Sequence, residues 1–323
     1  MSTTVKAPAR QRASIGKFLV QGGTTIALVV LIAFFFAMRP SIFLTFTNVR
    51  NILFQVSILA IIAGAQTLVM VVGDFDLSLA ATSSLAGAVT AQLMLKGLPT
   101  WPAILIALAV GVAIGLANGL LVAYLNLSAF VATLATMTSV TGLAYLVTSG
   151  TTLFDLPSGF NSLGQGRVLN IPGPVYVAIV LGEVLWALLR FTTTGRKWYA
   201  IGGNVEVSRL SGLNVRAGRL LAFTAAGLIS AVGGILLAAR LGSASAVQGS
   251  DNLLFSVAAV FLGMTVIRSG RANLVGTMVG VAIIGVMSNG LNILGVNSYV
   301  QQVVTGLIII AAVTLSSVRT RER

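Results

Sequence analysis

The chain has 323 residues, with 20 Lys and Arg against 7 Asp and Glu, and it is 56% hydrophobic and only 8% charged. A mean hydropathy of +0.98 excludes a soluble globular protein, and long uncharged runs mark membrane spans. The net charge of +13 lies in short segments between apolar runs, which excludes a basic nucleic-acid groove. The absence of Cys and His excludes disulfide, thiol, haem-His and His/Cys zinc chemistry.

In chain order, Lys6, Arg10, Arg12 and Lys17 precede the first apolar run, Phe18–Met38. That run is longer than a signal-peptide core and ends in Ala-Met-Arg-Pro rather than at a small-x-small site, so it reads as a retained span behind a cytoplasmic tail, residues 1–16. Further spans are expected at Asn51–Gly73, Leu77–Leu95, Pro102–Tyr124, Phe130–Val147, Pro174–Phe191, Leu220–Ala239 and Leu253–Ile267. The run Ala272–Val318 is too long for one span and divides at the Gly- and Asn-rich stretch Ser288–Asn297. Residues 148–173 read as a long loop. The expectation is an all-α polytopic membrane protein with about ten transmembrane helices. A single domain covers residues 17–318, and a C-terminal tail covers 319–323.

Ten spans with both termini cytoplasmic place 15 Lys and Arg inside and 5 outside, in line with the positive-inside rule. Glycines recur every four residues at Gly111, Gly115 and Gly119, and Gly276 and Gly280 form GxxxG, so the spans are expected to pack closely as a bundle. The count of ten invites a five-plus-five inverted repeat.

The longest polar insert is residues 192–219, which holds five basic residues and one acid, Glu206. Within it, Asn204 suits a helix N-cap, Glu206 falls in the first turn, and Val207, Leu210 and Leu213 give apolar positions at helical spacing. Gly212 suits the C-terminal cap, with Arg209 and Ser211 between. Such a helix either lies on lipid headgroups or docks a cytosolic partner; the alternative is a solvated positive loop that only sets topology.

Within the spans, Gln66, Asn118, Asn289 and Asn292 are candidates to line a translocation path, against the alternative that they tie helices together. Glu183 is an ionisable group mid-span and should face a cavity or a partner. Asp74 and Asp76 sit at a gate or helix break between the second and third spans, where Asp76 suits an N-cap for a helix beginning at Leu77. No Walker motif occurs, and no metal cluster or nucleophile–base pair can be assembled, so the chain is not expected to be an enzyme.

Four segments resemble ribose-type ABC importer permeases. Gly73-Asp-Phe-Asp-Leu-Ser78 is similar to their G-x-D-L-S turn and Ala129-Phe-Val-Ala-Thr-Leu134 to their A-F-I-A-T-L. Gly195 to Leu213 resembles their coupling segment, and Ser288-Asn-Gly-Leu-Asn-Ile-Leu-Gly resembles their N-N-G-L-N-L-L-G. Departures are Val207-Ser208 for the usual Ala-Ala, Ser288 for the first Asn, and Arg268-Ser-Gly-Arg271 in place of a glycine-rich turn. The resemblance covers residues 45–318. It implies a multi-pass inner-membrane permease of about ten spans that works as a pair in the bilayer and moves a sugar or polyol; the amides among small residues add the expectation of a narrow, mostly apolar cavity between two copies. Its partners would be a cytosolic ABC ATPase, which uses the ATP and Mg while this chain binds no cofactor, and a periplasmic sugar-binding protein. A secondary transporter or channel is the competing class, but it would want a relay of acids and His where the spans offer only Glu183. A non-transporting scaffold would need neither amides in several spans nor a docking helix.

Overall fold

The computed structural model describes residues 12–264, 266, 270–297, 299–304, 306, 307 and 310. The chain is a helical bundle. In order, its helices are α1 (Arg12–Met38), α2 (Phe46–Val71), α3 (Leu79–Leu95), α4 (Thr100–Ala123), α5 (Ala129–Thr148) and α6 (Ser158–Gln165), then α7 (Gly173–Phe191), α8 (Thr193–Gly203), α9 (Val205–Leu210), α10 (Val215–Leu241), α11 (Asp251–Gly263) and α12 (Leu274–Ile293). Six of these, α2, α4, α5, α7, α10 and α12, are long and apolar enough to cross a membrane. Thr24–Met38, α3 and α11 are shorter apolar helices. Residues 299–304, 306, 307 and 310 are helical where a last span is expected. The tails 1–11 and 319–323 and the pair Arg268-Ser269 lie outside the described residues.

The centre of the bundle is α10, which packs on α4, α3 and α2. Glycine makes this possible: a Cβ at Gly115 would run into the Phe223 carbonyl, and one at Gly111 into the Gly227 carbonyl. The four-residue glycine repeat of α4 is thus the seam on which α10 lies, as the small-residue pattern predicts. Gly234 of α10 meets the backbone of Ser83 in the same way, which brings α3 against the other side.

Four boundaries differ from the sequence-based expectation. Residues 148–173 are not a plain loop: they hold α6 and an antiparallel pair, β1 (Arg167–Val168) and β2 (Ile171–Pro172), and α6 docks its Gly164 on the end of α10. The polar insert is mostly helical, because Thr192, Asn204 and Asn214 each accept a backbone N–H three residues on and so cap α8, α9 and α10 in turn. Arg216 and Arg219 therefore lie in the first turns of α10 rather than in a loop. The α12 helix runs through Ser288–Asn292 and turns only at Leu294–Gly295, since Asn289 is held by a partner amide on α2. The third helix begins at Leu79 rather than Leu77, behind a non-helical stretch at residues 72–78.

Contacts sort the connections into two ends. Residues 72–78, α8, α9 and the start of α10 share one end, where the Arg216 guanidinium also lies 5.9 Å from the centre of the Tyr124 ring. At the other end Arg50 donates to Asn170 at 3.0 Å, Leu153 bridges Ala244, and Arg240 lies 4.3 Å from the centre of the Phe54 ring.

Candidate functional site

The polar insert forms an anchored platform. In α8, Gly195, Trp198 and Ile201 are buried at helical spacing and fix the helix to the bundle. A turn later α9 presents its side chains outward: Asn204 caps it by accepting from Val207 N at 3.0 Å, Ser208 points inward, and Val207 and Leu210 are 57% and 79% exposed. Glu206 and Arg209 form an exposed ion pair at 2.6 Å, which contributes little to stability. Ser211 ends the helix, Gly212 turns the chain at φ +79, and the half-buried Leu213 leads back to α10. The sequence-predicted coupling residues thus stand together as one exposed helix with two unpartnered apolar side chains at its tip.

Behind this platform lies the non-helical segment 72–78. Gly73, at φ +87, packs against the backbone of Gly202 in α8. Asp74 pairs with Arg219 of α10, Oδ1 accepting from an Nη at 3.0 Å and Oδ2 lying 2.9 Å from Nε. Burial pushes the Asp74 carboxyl up to about 6, and the Arg219 charge acts in the opposite direction. Five residues later the Leu79 carbonyl accepts from Ser230 Oγ. Arg219 and Ser230 are eleven residues apart on α10, about 16 Å along its axis. Non-helical chain therefore enters the bundle, where a backbone group that lacks a helical partner needs one from a neighbouring element.

Side chains from neighbouring helices supply those partners. Thr133 of α5 accepts from Leu77 N at 3.1 Å. Asp76 accepts from Ser78 N at 2.8 Å and from Ser78 Oγ at 2.6 Å. Asn118 of α4 donates to Ser78 Oγ at 2.8 Å and to Asp76 Oδ2 at 3.4 Å. Asp76 is therefore not the N-cap of α3; the cap position belongs to Ser78, and Asp76 holds the turn that precedes it. Thr133, Ser230 and Arg219 escape sequence reasoning as partners. Thr133 alone carries a signal, since it lies within one of the segments quoted above.

The four amides expected along a path do not come together. Asn118 is fully buried in the cluster just described, and Asn289 exchanges two 3.0 Å bonds with Asn48, tying α12 to α2. Asn292 is exposed near the end of α12. Gln66 has no exposed surface, and neither of its side-chain amide atoms has a hydrogen-bond partner. Glu183 is exposed on α7 and lines a crevice between α2, α7 and α12.

A bundle of membrane-competent helices, with unwound chain held in its interior and an outward helix on one end, is the architecture of a multi-pass membrane protein. The comparisons agree: the family described as branched-chain amino acid transport system / permease component matches residues 48–313. The chain is 38% identical over 303 residues to the ribose import permease protein RbsC of Haemophilus influenzae, covering 93% of this chain and 94% of that one. It is 33% identical to the D-allose transport system permease protein AlsC of Escherichia coli, covering 97% of each chain. It is 31% identical to the L-arabinose transport system permease protein AraH of Escherichia coli, covering 97% of this chain and 95% of that one. The chain belongs to this permease family, within its ribose-type monosaccharide branch. No solved structure matches it.

The cluster makes a direct prediction. Asp76→Leu leaves two donors on Ser78 without their acceptor in a water-free site, and stability is expected to fall by about 2–3 kcal/mol. Asp76→Asn keeps an acceptor and should cost less. Thermal unfolding of the purified variants in detergent measures both; equal midpoints for Asp76→Leu and the unaltered protein would contradict the assignment.

Proposed function

We propose that the chain is the transmembrane subunit of a binding-protein-dependent ABC importer that carries a ribose-like monosaccharide or polyol across the bacterial inner membrane. The observation that carries this reading is α9, an anchored helix that offers Val207 and Leu210 to a partner at the end where the basic residues gather. The partner is a cytosolic ABC ATPase, which uses the ATP and Mg; this chain binds no cofactor. A periplasmic sugar-binding protein delivers substrate at the opposite end, and two copies of the chain form the pathway between them. The sugar permease names of the relatives support the substrate class.

The coupling route follows from the contacts. Force on α9 passes to α8, then through the Gly202–Gly73 contact and the Arg219–Asp74 pair to segment 72–78 and α3. Asp74 and Asp76 thereby stand at the gate, and Gln66 faces the path when the gate opens. Its buried amide lacks a partner at rest, which suits a group that meets substrate hydroxyls only during turnover. Asn118 and Asn289 hold helices together, and Asn292 lies at the mouth. We keep ten spans with cytoplasmic termini as part of this reading; the gathering of Arg190, Arg196, Lys197, Arg209, Arg216 and Arg219 at one end supports that end as the cytoplasmic one.

Three outcomes test this reading. Leu210→Asp should abolish ATPase association and uptake while the chain still inserts; co-purification of the ATPase at an undiminished level would remove α9 as the docking element. Single cysteines at Ser158 and Ser211, both exposed in a chain with no other Cys, should label from opposite sides, with Ser158 reacting from the periplasm. Reaction of both from one side contradicts the orientation. Gln66→Leu should lower labelled-sugar uptake at matched membrane abundance without lowering the unfolding midpoint, since it removes an unpaired buried amide. Normal uptake in that variant would take Gln66 off the path.

A further inference from the structure

Two cavities adjoin on the flank of α7. The first, about 550 Å³, opens at the basic end and is lined by Arg190 at the end of α7, Arg196 and Tyr199 of α8, Arg271, and the start of α12. The second, about 360 Å³, is an almost wholly apolar crevice between α2, α7 and α12, with Leu53, Val56, Ile179 and Met278 on its walls. Trp186, Leu274 and Val275 line both, so the two lie end to end along one cleft.

Its chemistry changes along its length. Among the described residues the ion pairs are Arg209–Glu206 and Arg219–Asp74, so the three arginines face the first cavity with no carboxylate partner. The N-terminus of α12 adds the positive end of its dipole there. Beyond Trp186 the walls are apolar apart from Ser57 and Glu183, and the crevice follows α7 from Trp186 to Val175, about 16 Å along the helix. Its far end at Val175 is fifteen residues from Arg190, about 22 Å below the arginine level and within the roughly 30 Å hydrocarbon core. Glu183, the one acid on the wall, is seven residues from Arg190, about 10 Å below the arginine level.

A soluble anion would leave the crevice empty, and an uncharged apolar ligand would leave three arginine charges without a counter-charge, although Arg196 also donates to the Phe191 carbonyl at 3.3 Å. We propose that the cleft holds one anionic phospholipid of the leaflet at the basic end, with its phosphate against Arg190, Arg196 and Arg271 and an acyl chain in the crevice. The proposal rests on the membrane assignment and is independent of what the permease carries.

Trp186 at the junction is a built-in probe. The chain has three tryptophans; Trp101 is exposed, and Trp198 is buried under α8. In the Trp101→Phe variant, reconstituted as the full chain into unbrominated phosphatidylcholine vesicles, a minor fraction of phosphatidylglycerol brominated on its acyl chains should quench the emission. Brominated phosphatidylcholine should need about ten times the mole fraction for the same quenching, the order expected for a few basic side chains at a bilayer surface. The preference should vanish when Arg190, Arg196 and Arg271 are all changed to Gln, and the quenching when Trp186→Phe is added. Equal quenching by the two brominated lipids in the unaltered cleft, which needs no variant of the arginines, overturns the proposal. Relief of the quenching by inorganic phosphate also overturns it, because the cleft would then be a site for a soluble anion.

Discussion

The structure depends on one constraint: the non-helical chain at residues 72–78 enters the bundle, so its buried polar groups must find partners outside a helix. The Leu77 amide finds Thr133 of α5, the Ser78 amide finds Asp76, the Ser78 hydroxyl accepts from Asn118 of α4, and the Leu79 carbonyl finds Ser230 of α10. These bonds join α3, α4, α5 and α10 at one level. A continuous helix would satisfy the same groups locally, with no need for neighbours. The unwound form instead makes the position of α3 conditional on three other helices, which is what a transmitted movement requires.

The second support is close backbone packing. The glycines of α4 let α10 approach to backbone contact, and Gly234 does the same for α3. Side chains inserted at these seams would separate Ser230 from Leu79 and Asn118 from Ser78. Small residues and buried polar bonds thus serve one another: the first bring the backbones near, and the second fix their register. The platform of α8 and α9 is attached to this arrangement through backbone contact between Gly202 and Gly73 and through the Arg219–Asp74 pair, so the outermost helix and the buried segment form one connected body.

Much of this was legible in the sequence. Apolar runs located the long helices because membrane helices must be apolar over their whole length, and the Asn204 cap with Gly212 was readable because capping is local. What failed was non-local. Asp76 reads as an N-cap since an acceptor before a helix looks the same whether it bonds the cap or the turn before it. Thr133 and Ser230 are 56 and 151 residues from the groups they serve, and a serine or threonine in a span carries no mark of its partner. The Asn-rich stretch near 288 reads as a break, yet Asn48 satisfies Asn289 and lets the helix continue. Arg216 and Arg219 disguise the first turns of α10 as loop because charge in a sequence marks the edge of the membrane. Three of the four family-like segments meet at residues 73–78, 133 and 202, so their shared location is physical contact rather than sequence proximity.

The account holds that this chain moves solute only when worked from outside itself. The most direct measurement is labelled-ribose accumulation in proteoliposomes. With the chain alone, under an imposed proton or sodium gradient, no accumulation is expected. With the partner ATPase, ATP on the ATPase side and the sugar-loaded binding protein on the other, accumulation is expected and should stop when ATP is withheld. Gradient-driven accumulation by the chain alone would contradict the account and make it a secondary transporter.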